Sequence, residues 1–347
     1  MHICHVNLAR GFSGGERQTF NLINELRNQS VKQTVVVLKG SPLTQMLVDI
    51  GITTFEVTHH FLGHFALSRL KPDLFHAHDG KAVYWCAIQS KLKKIPYIIT
   101  RRVDNPLKSK VTTRAAYLRA ASVVCLSRAI AAQVNKLDQN IRTDIIPSTF
   151  SSFTADADKV AKIRSQYKGK LLVSQVGKLL HHKGVHLTID VARRCQAEHP
   201  SLQFLILGSG PEEEKLKALA TGLRNLDFLG HQQDIGNYLS ATDILLFPSL
   251  TEGLGSTILE AWQHKAVVIG SEAGGIPDLI EDHQTGRLIP AGDTSSLFEV
   301  LIELASDPDQ REKLCEQASN ELKNYSIDKL ASRYLVLYGE LCDGTLH

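Results

Sequence analysis

Short apolar runs, each ending in a loop rich in glycine, proline or serine and then leading into a helical stretch, recur along this chain. That alternation restricts the fold more than any other feature. The clearest instance is residues 243–260. Residues 243–247 are apolar after Asp243 and stop at Pro248, which suits a buried parallel strand. Residues 248–255 read as loop. Ser256 or Thr257 is the expected N-cap of the helix that continues through Ile258, Leu259 and Glu260. A loop that leaves the carboxyl end of a strand and feeds a helix N-terminus is where open α/β sheets bind ligands. First-turn N–H groups and the positive end of the helix dipole favour a phosphate there.

Two carboxylates frame this loop, Glu252 within it and Glu260 in the helix. A carboxylate facing phosphate would repel it, whereas one facing sugar hydroxyls accepts charge-assisted hydrogen bonds. A ligand carrying both phosphate and polyol, a nucleotide-sugar, accounts for both. The plainer alternative is that Glu260 is a first-turn glutamate favoured by the dipole and Glu252 a solvated loop residue.

The same pattern begins at the N-terminus. An apolar strand at 3–8 is followed by Arg10-Gly11-Phe12-Ser13-Gly14-Gly15-Glu16-Arg17 and a helix, a phosphate-binding arrangement although not GxGxxG. Further strands are expected at 34–38, 52–57, 74–77, 97–100, 123–126 and 145–147. His78 and Asp79 fall at the end of the 74–77 strand, and Arg101-Arg102 at the end of 97–100. His76 and His78 share one strand face, but the sequence offers no obvious third ligand, so they are not read as a metal site. After a polar stretch the pattern restarts with strands at 171–176, 204–207, 227–229, 243–247, 267–270 and 287–289, and closes on helical stretches at 294–323 and 326–341. The expected architecture is α/β: two Rossmann-like domains with parallel sheets and the ligand between them. Residues 1–160 form the first, 161–325 the second, and 326–347 a C-terminal helix packing back on the first.

Composition narrows the function classes. No apolar run is long enough to cross a membrane as a helix. The first residues lack the pattern of a signal peptide, and six scattered cysteines fit a reducing cytoplasm. Charge is uneven: residues 1–150 carry 20 basic and 9 acidic residues, and the remainder carry 19 and 27. Nine of those cations fall between Lys91 and Arg119, against one acid, Asp104. An anionic partner of the first half is implied. Nucleic acid is not expected, because neither stacking aromatics nor a binding motif interleaves with these cations.

Lys178 and Lys183 flank a second strand-end loop, and two ammonium groups there can neutralise a diphosphate leaving group without a metal. Glu252-x7-Glu260, Gly177-Lys178…Lys183-Gly184, Gly14-Gly15-Glu16-Arg17, Pro248-Ser249 and Gly274-Gly275-Ile276-Pro277 together resemble glycosyltransferase family 4, retaining enzymes of the GT-B fold. The resemblance is strongest over 171–292. It implies that Glu260 holds the ribose hydroxyls and Glu252 the donor sugar, and that backbone groups of Gly253, Leu254, Gly255, Ser256 and Thr257 help bind sugar and phosphate. It places Lys178 and Lys183 on the diphosphate, with Gly14 and Gly15 closing on it. His78 would stand beside donor sugar and acceptor, and the base near Gly208–Gly210 and residues 230–234. Two departures are that Lys178 stands where the family more often has Arg, and that Asp278 replaces the usual Glu after Gly-Gly-Ile-Pro.

Family GT-A enzymes instead hold a metal with Asp-x-Asp. Asp156-Ala157-Asp158 and Asp307-Pro308-Asp309 match in letters but follow no strand, so they read as surface turns. Neither metal nor cofactor is expected, the nucleotide-diphosphate sugar being the donor. Asp79, Arg101 and Arg102 are candidates for an acceptor that is a saccharide or lipid-linked, and anionic. The basic stretch is expected to meet anionic lipid at the inner side of the membrane or a phosphorylated or acidic saccharide, the plainer alternative being a solvated basic helix. With the resemblance it implies lipopolysaccharide or other envelope polysaccharide synthesis. The rival readings are a nucleotide-sugar epimerase of the same fold, which needs no acceptor, and a non-catalytic nucleotide-sugar-binding protein.

Overall fold

The computed structural model describes residues 1–58, 70–108 and 110–343. The chain divides into two compact units, Met1–Thr149 with the C-terminal residues from Ser326 onward, and Phe150–Tyr325.

In the first unit, β1 (His2–Asn7), β2 (Lys32–Leu38), β3 (Thr53–Val57), β4 (Leu74–Ala77), β5 (Tyr97–Arg101), β6 (Ser122–Cys125) and β7 (Thr143–Ile145) form one sheet in the order β3-β2-β1-β4-β5-β6-β7. Every pairing in it is parallel. Unbroken apolar runs such as residues 35–38 of β2 and 97–99 of β5 are what a parallel sheet covered on both faces requires. The connections are α1 (Gly14–Leu26), α2 (Pro42–Asp49), α3 (Gly80–Lys93), α4 (Val111–Leu118) and α5 (Arg128–Leu137).

The second unit opens with α6 (Ala157–Gln166) and builds a six-stranded parallel sheet. Its strands are β8 (Leu171–Val176), β9 (Leu202–Leu207), β10 (Leu226–Gly230), β11 (Ile244–Phe247), β12 (Val267–Ser271) and β13 (Arg287–Ile289), in the order β10-β9-β8-β11-β12-β13. Helices α7 (Val185–Glu198), α8 (Glu213–Leu219), α9 (Ile235–Ala241), α10 (Ser256–Gln263), α11 (Thr294–Ser306) and α12 (Pro308–Leu322) cover it. The chain then returns to the first unit as α13 (Ile327–Asp343). Leu330, Ala331, Tyr334, Leu337 and Tyr338 pack there with Ile3, Leu22, Leu74, Ile98 and Val124. Each large apolar side chain buried in this way stabilises by about 1.5–3 kcal/mol. Residues 344–347 of the expected C-terminal segment lie outside the described residues.

Three expectations need correction. The boundary lies between Thr149 and Phe150 rather than at 160. Residues 157–166 belong to the second unit because Ile163 packs with Leu172, Leu205 and Leu207, and Arg164 grips Asp243 through both guanidinium nitrogens at 2.8 Å. The stretch 294–323 is two helices, since Pro308 supplies no N–H and Asp307 caps the second by accepting from Gln310 N–H at 2.9 Å. Asp156 likewise caps α6. The two Asp-x-Asp triplets are therefore helix N-termini rather than surface turns. Among the described residues, no helix is long and apolar enough to cross a membrane.

Candidate active site

In each sheet the strand order reverses once, between β1 and β4 in the first unit and between β8 and β11 in the second. Loops leaving adjacent strands at such a point diverge and leave a crevice. In the second unit these are the loops carrying Lys178 and Lys183, after β8, and Glu252, after β11.

Two glycines bring them together. Gly184 has φ +70°, and a Cβ there would lie 2.1 Å from the Pro248 carbonyl oxygen. Gly274 has φ +56°, and its Cβ would fall 1.9 Å from the Glu252 carbonyl oxygen. Only glycine fits either place. Leu250 N–H donates to the His182 carbonyl (2.7 Å), and Gly275 N–H to the Glu252 carbonyl (2.8 Å). The Gly-Gly-Ile-Pro segment therefore grips the backbone of the Glu252 loop. With both loops fixed, Lys183 Nζ donates directly to Glu252 Oε2, and Gly253 N–H lies 3.2 Å from Oε1. The pair is mostly withdrawn from water, with side-chain exposures of 22% and 16%.

Lys178 is exposed and lines a small hollow with Gln175, Gly177, Lys183, Phe247 and Ser249. Gly210 abuts the backbone of Leu179, and Leu179 N–H donates to the Ser209 carbonyl, so the Gly208–Gly210 turn shapes the Lys178 loop. Gly230 ends β10, and Asp234 pairs with Lys159 at 3.2 Å.

Gly255, at φ +95°, is the N-cap of α10, not Ser256 or Thr257, which are its first two residues. The Phe247 ring and Ile258 close around Gly255 and leave little room for a side chain. First-turn amides of a helix have no intrahelical acceptor, so Ser256 and Thr257 present theirs at the mouth of this loop. Gly253 and Leu254 are buried beneath it. Glu260 follows within α10, and its Oε1 accepts from Ser151 N–H at 3.4 Å.

Gln175 was not among the residues singled out by sequence. It is buried on β8, donates to the Lys183 carbonyl (2.7 Å) and accepts from Thr188 Oγ1 (2.7 Å). A polar residue inside the apolar run Leu171–Val176 was the available signal.

In the first unit, His78 and Asp79 leave β4, and Gly14 and Gly15 open α1. Ser13 donates to Glu16 Oε2 through both N–H (2.8 Å) and Oγ (2.6 Å), so α1 brings its own carboxylate to its N-terminus. Asp79 is the N-cap of α3, accepting from Lys81 and Ala82 N–H and also from Leu8 N–H. Its carboxylate is committed to the backbone rather than presented to an acceptor. Burial raises its pKa, against the effect of those bonds.

Arg101 and Arg102 part company. Arg101 donates to Tyr117 Oη and to the Asn105 carbonyl. Arg102 turns to His78, donating to its carbonyl at 2.8 Å, and a Cβ at Gly15 would lie 3.7 Å from Arg102 Cδ. Of the three acceptor candidates, Arg102 alone is hydrogen-bonded to His78.

A third histidine does stand beside His76 and His78. His5 on β1 pairs in register with His76, and ring nitrogens of the three lie within 4.8 Å of one another. Spacing along the chain could not show this, because strand pairing supplies it. Each ring nitrogen already faces a protein partner. His76 meets Tyr338 Oη (2.7 Å) and Thr100 Oγ1 (2.6 Å), and His5 meets Gln33 Oε1 (3.2 Å) and His78 Nε2 (3.0 Å). His78 Nδ1 faces Arg102 at 3.4 Å. Burial lowers the pKa of all three, that of His5 to about 3, so they are uncharged at neutral pH.

Residues 156–321 match the family model described as Glycosyl transferases group 1, and residues 12–149 match that described as Glycosyltransferase Family 4. The chain is a family 4 glycosyltransferase. A relative along its length is the lipopolysaccharide core biosynthesis glycosyltransferase LpsE of Rhizobium meliloti, 26% identical over 97% of this chain and 98% of that one. The alpha-D-kanosaminyltransferase of Streptomyces kanamyceticus is 26% identical over 77% of each. Among solved structures, Anabaena Alr3699/HepE in complex with UDP superposes with a TM-score of 0.87 at 18% identity, covering 98% of this chain and all of that one. The apo lipopolysaccharide outer core galactosyltransferase WaaB superposes at 0.78, with 17% identity and full coverage of both chains. These likenesses show the GT-B fold. The glycosyltransferase moves a sugar from a nucleotide-sugar donor, and neither the epimerase nor the binding-protein reading is favoured.

Proposed function

We propose that this glycosyltransferase is retaining and metal-independent, with its donor seated at the β8–β11 crevice of the second unit. Lys178 and Lys183 receive the diphosphate, Glu252 the hydroxyls of the donor sugar and Glu260 those of the ribose. As the glycosidic bond to phosphate breaks, negative charge grows on the leaving oxygens, and fixed ammonium groups stabilise that charge more than the ground state. The departing phosphate oxygen takes the acceptor proton on the same face. The observation that carries this reading is the Lys183–Glu252 contact, which sets a phosphate-binding and a hydroxyl-binding group side by side, with Lys183 and Lys178 on one hollow.

A uridine nucleotide is the first donor to test, by analogy with the UDP and UDP-glucose complexes of Anabaena HepE. A saccharide acceptor of lipopolysaccharide or another envelope polysaccharide follows by analogy with LpsE and LpsD. Peripheral contact with anionic lipid is supported by exposed Leu92, Val111 and Leu118 standing among exposed Lys91, Lys94, Lys108 and Lys110. Calorimetry with UDP-, GDP- and ADP-sugars, followed by mass detection of product on extracted envelope glycans, tests the reading. Saturable binding of one class and a mass gain of one sugar are expected. Absence of binding to all three would overturn it.

A further inference from the structure

Strand β8 is apolar except for Ser174 and Gln175, whose side chains point to opposite faces of the sheet. Ser174 is bonded to Thr242 Oγ1 at 2.7 Å. Gln175, 5% exposed, turns toward α7. An amide inside a parallel sheet is costly unless both of its ends are bonded. Here both are: Nε2 donates to the Lys183 carbonyl and Oε1 accepts from Thr188 Oγ1, each at 2.7 Å. A carbonyl only accepts, so the Lys183 carbonyl fixes which end of the amide carries the nitrogen. Thr188, near the start of α7, is 1% exposed, so water has little access to the pair.

The carbonyl that Gln175 holds belongs to a short element. His181–Lys183 form a single turn of 3-10 helix that stops at Gly184. The last carbonyls of a helix have no partner within it, and here two of them are held from outside. The His182 carbonyl accepts from Leu250 N–H, in the loop after β11, at 2.7 Å, and the Lys183 carbonyl accepts from Gln175. Lys183 N–H donates to the Leu180 carbonyl at 2.9 Å. One residue on, Gly184 abuts the Pro248 carbonyl, 2.1 Å from where a Cβ would stand. The backbone on either side of Lys183 is thus tied to β8 and to the loop after β11, which leaves Lys183 its side-chain torsions. At their far end Nζ meets Glu252. Gln175, Lys178 and Lys183 line one hollow.

We propose that Gln175 is a positioning residue for the donor diphosphate. Through the Lys183 carbonyl it keeps the Lys183 backbone in place while Nζ exchanges Glu252 for phosphate, and Thr188 orients the amide that does so. This rests on the transferase reading of the site. A lysine ammonium rides on a flexible stem of four carbons, so a backbone free to turn would let it settle in many places. A charge that stabilises a leaving group acts only if it is in place before the bond breaks, and a misplacement of about 1 Å can cost roughly a hundredfold in rate. Gln175 sits in the rigid sheet and fixes the near end of that lever. A glutamine that served packing alone would affect stability whether or not residue 183 carries an ammonium. A positioning glutamine has its effect on the donor only through that ammonium.

A double-mutant cycle on the full-length protein tests this, with UDP as probe, or GDP or ADP if the parent binds one of those instead. Gln175→Met keeps the length of the side chain and loses both bonds. It should weaken nucleotide binding by about five- to tenfold in calorimetry, the worth of one hydrogen bond. In a Lys183→Ala background the same substitution should change affinity by less than about twofold, while lowering the thermal midpoint equally in both backgrounds. A second five- to tenfold loss in the Lys183→Ala background would overturn the proposal, because Gln175 would then act on the ligand by another route. Thr188→Val should show a smaller loss with the same dependence on Lys183, and Thr188→Ser, which keeps the hydroxyl, should restore parental affinity. Hydrogen exchange supplies an arm that needs no ligand. In Gln175→Met the amides of Lys183, Gly184 and Leu250 should exchange about tenfold faster or more, with those of β9 and α11 unchanged. Uniform acceleration across the second unit, or none at Lys183, would overturn the proposal. Failure of the parent to bind any nucleotide diphosphate or its sugar would sink the transferase reading, and the exchange pattern would still decide whether Gln175 holds Lys183.

Discussion

Lys183 and Glu252 neutralise one another when no donor is present, so ligand must trade places with each. A diphosphate that draws Lys183 away leaves Glu252 without its partner unless sugar hydroxyls arrive with it. Lys183→Ala should weaken UDP-sugar binding by roughly tenfold to a hundredfold, the worth of a charge-assisted hydrogen bond. Glu252→Ala should remove most turnover yet leave UDP binding intact or tighter. The double variant should fall short of the summed effects by about 1 kcal/mol or more, read by calorimetry around the full cycle. Unchanged donor affinity in Lys183→Ala would remove that lysine from the diphosphate. A second residue-scale expectation concerns acid. His5 titrates at about 3 in the fold and near 6.5 in the unfolded chain, so its contribution is full above about pH 6.5 and is lost as pH falls below it. At pH 5 the loss from His5 alone is about 2 kcal/mol. His76 and His78 add losses of the same sign. Trp85 lies in the first unit and Trp262 in the second, so denaturant unfolding of Trp262→Phe, followed by fluorescence, reports on the first unit. Equal unfolding midpoints at pH 7.5 and 5 would refute the account. The motif residues were legible because they fall in the loop after an apolar run or in the helix that the loop feeds, and local spacing is what a sequence displays. His5, Gln33 and Gln175 were not, because their partners come from neighbouring strands and helices.

At the level of elements, two glycines with left-handed backbone make a controlled comparison. Gly222, at φ +85°, has open space where a Cβ would go, while at Gly274 that atom would strike the Glu252 carbonyl. Gly222→Ala should therefore cost only backbone strain, roughly 1 kcal/mol in thermal unfolding, with activity retained. Gly274→Ala should displace the Glu252 loop and lower kcat/KM at least tenfold. Equal activity in the two variants would dissociate the Gly-Gly-Ile-Pro segment from Glu252. The strands were readable to within about two residues at each end, since apolar runs of this length between turn formers admit few alternatives, although 145–147 overlaps β7 only at Ile145. The start of α10 was misread because Ser256 and Thr257 have the chemistry of caps, whereas the Phe247 ring against Gly255 decides the geometry. The break at Asp307-Pro308 was legible in the letters and was read as a turn, whereas the capping of the next helix by Asp307 was not.

For the whole molecule, activity should survive excess chelator, because the proposed charge stabilisation comes from ammonium groups. A strict metal requirement would contradict it. Co-sedimentation with vesicles should rise with anionic lipid content and fall with salt, and charge reversal at Lys91, Lys94 and Lys110 should abolish it. That there are two sheets was legible from the restart of the pattern after residue 170. The position of their boundary was not, because only the docking of Ile163 and Arg164 shows which sheet α6 serves.

The return of α13 to the first unit has an implication for synthesis. On the ribosome, Phe150–Tyr325 emerges as one unbroken stretch and has every strand it needs. The half made earlier must wait, with the apolar ground around Ile3, Leu74 and Ile98 uncovered, until residues 327–343 are translated. The portion born first is thus the last to be completed, and a stalled or shortened nascent chain would expose the surface that chaperones bind.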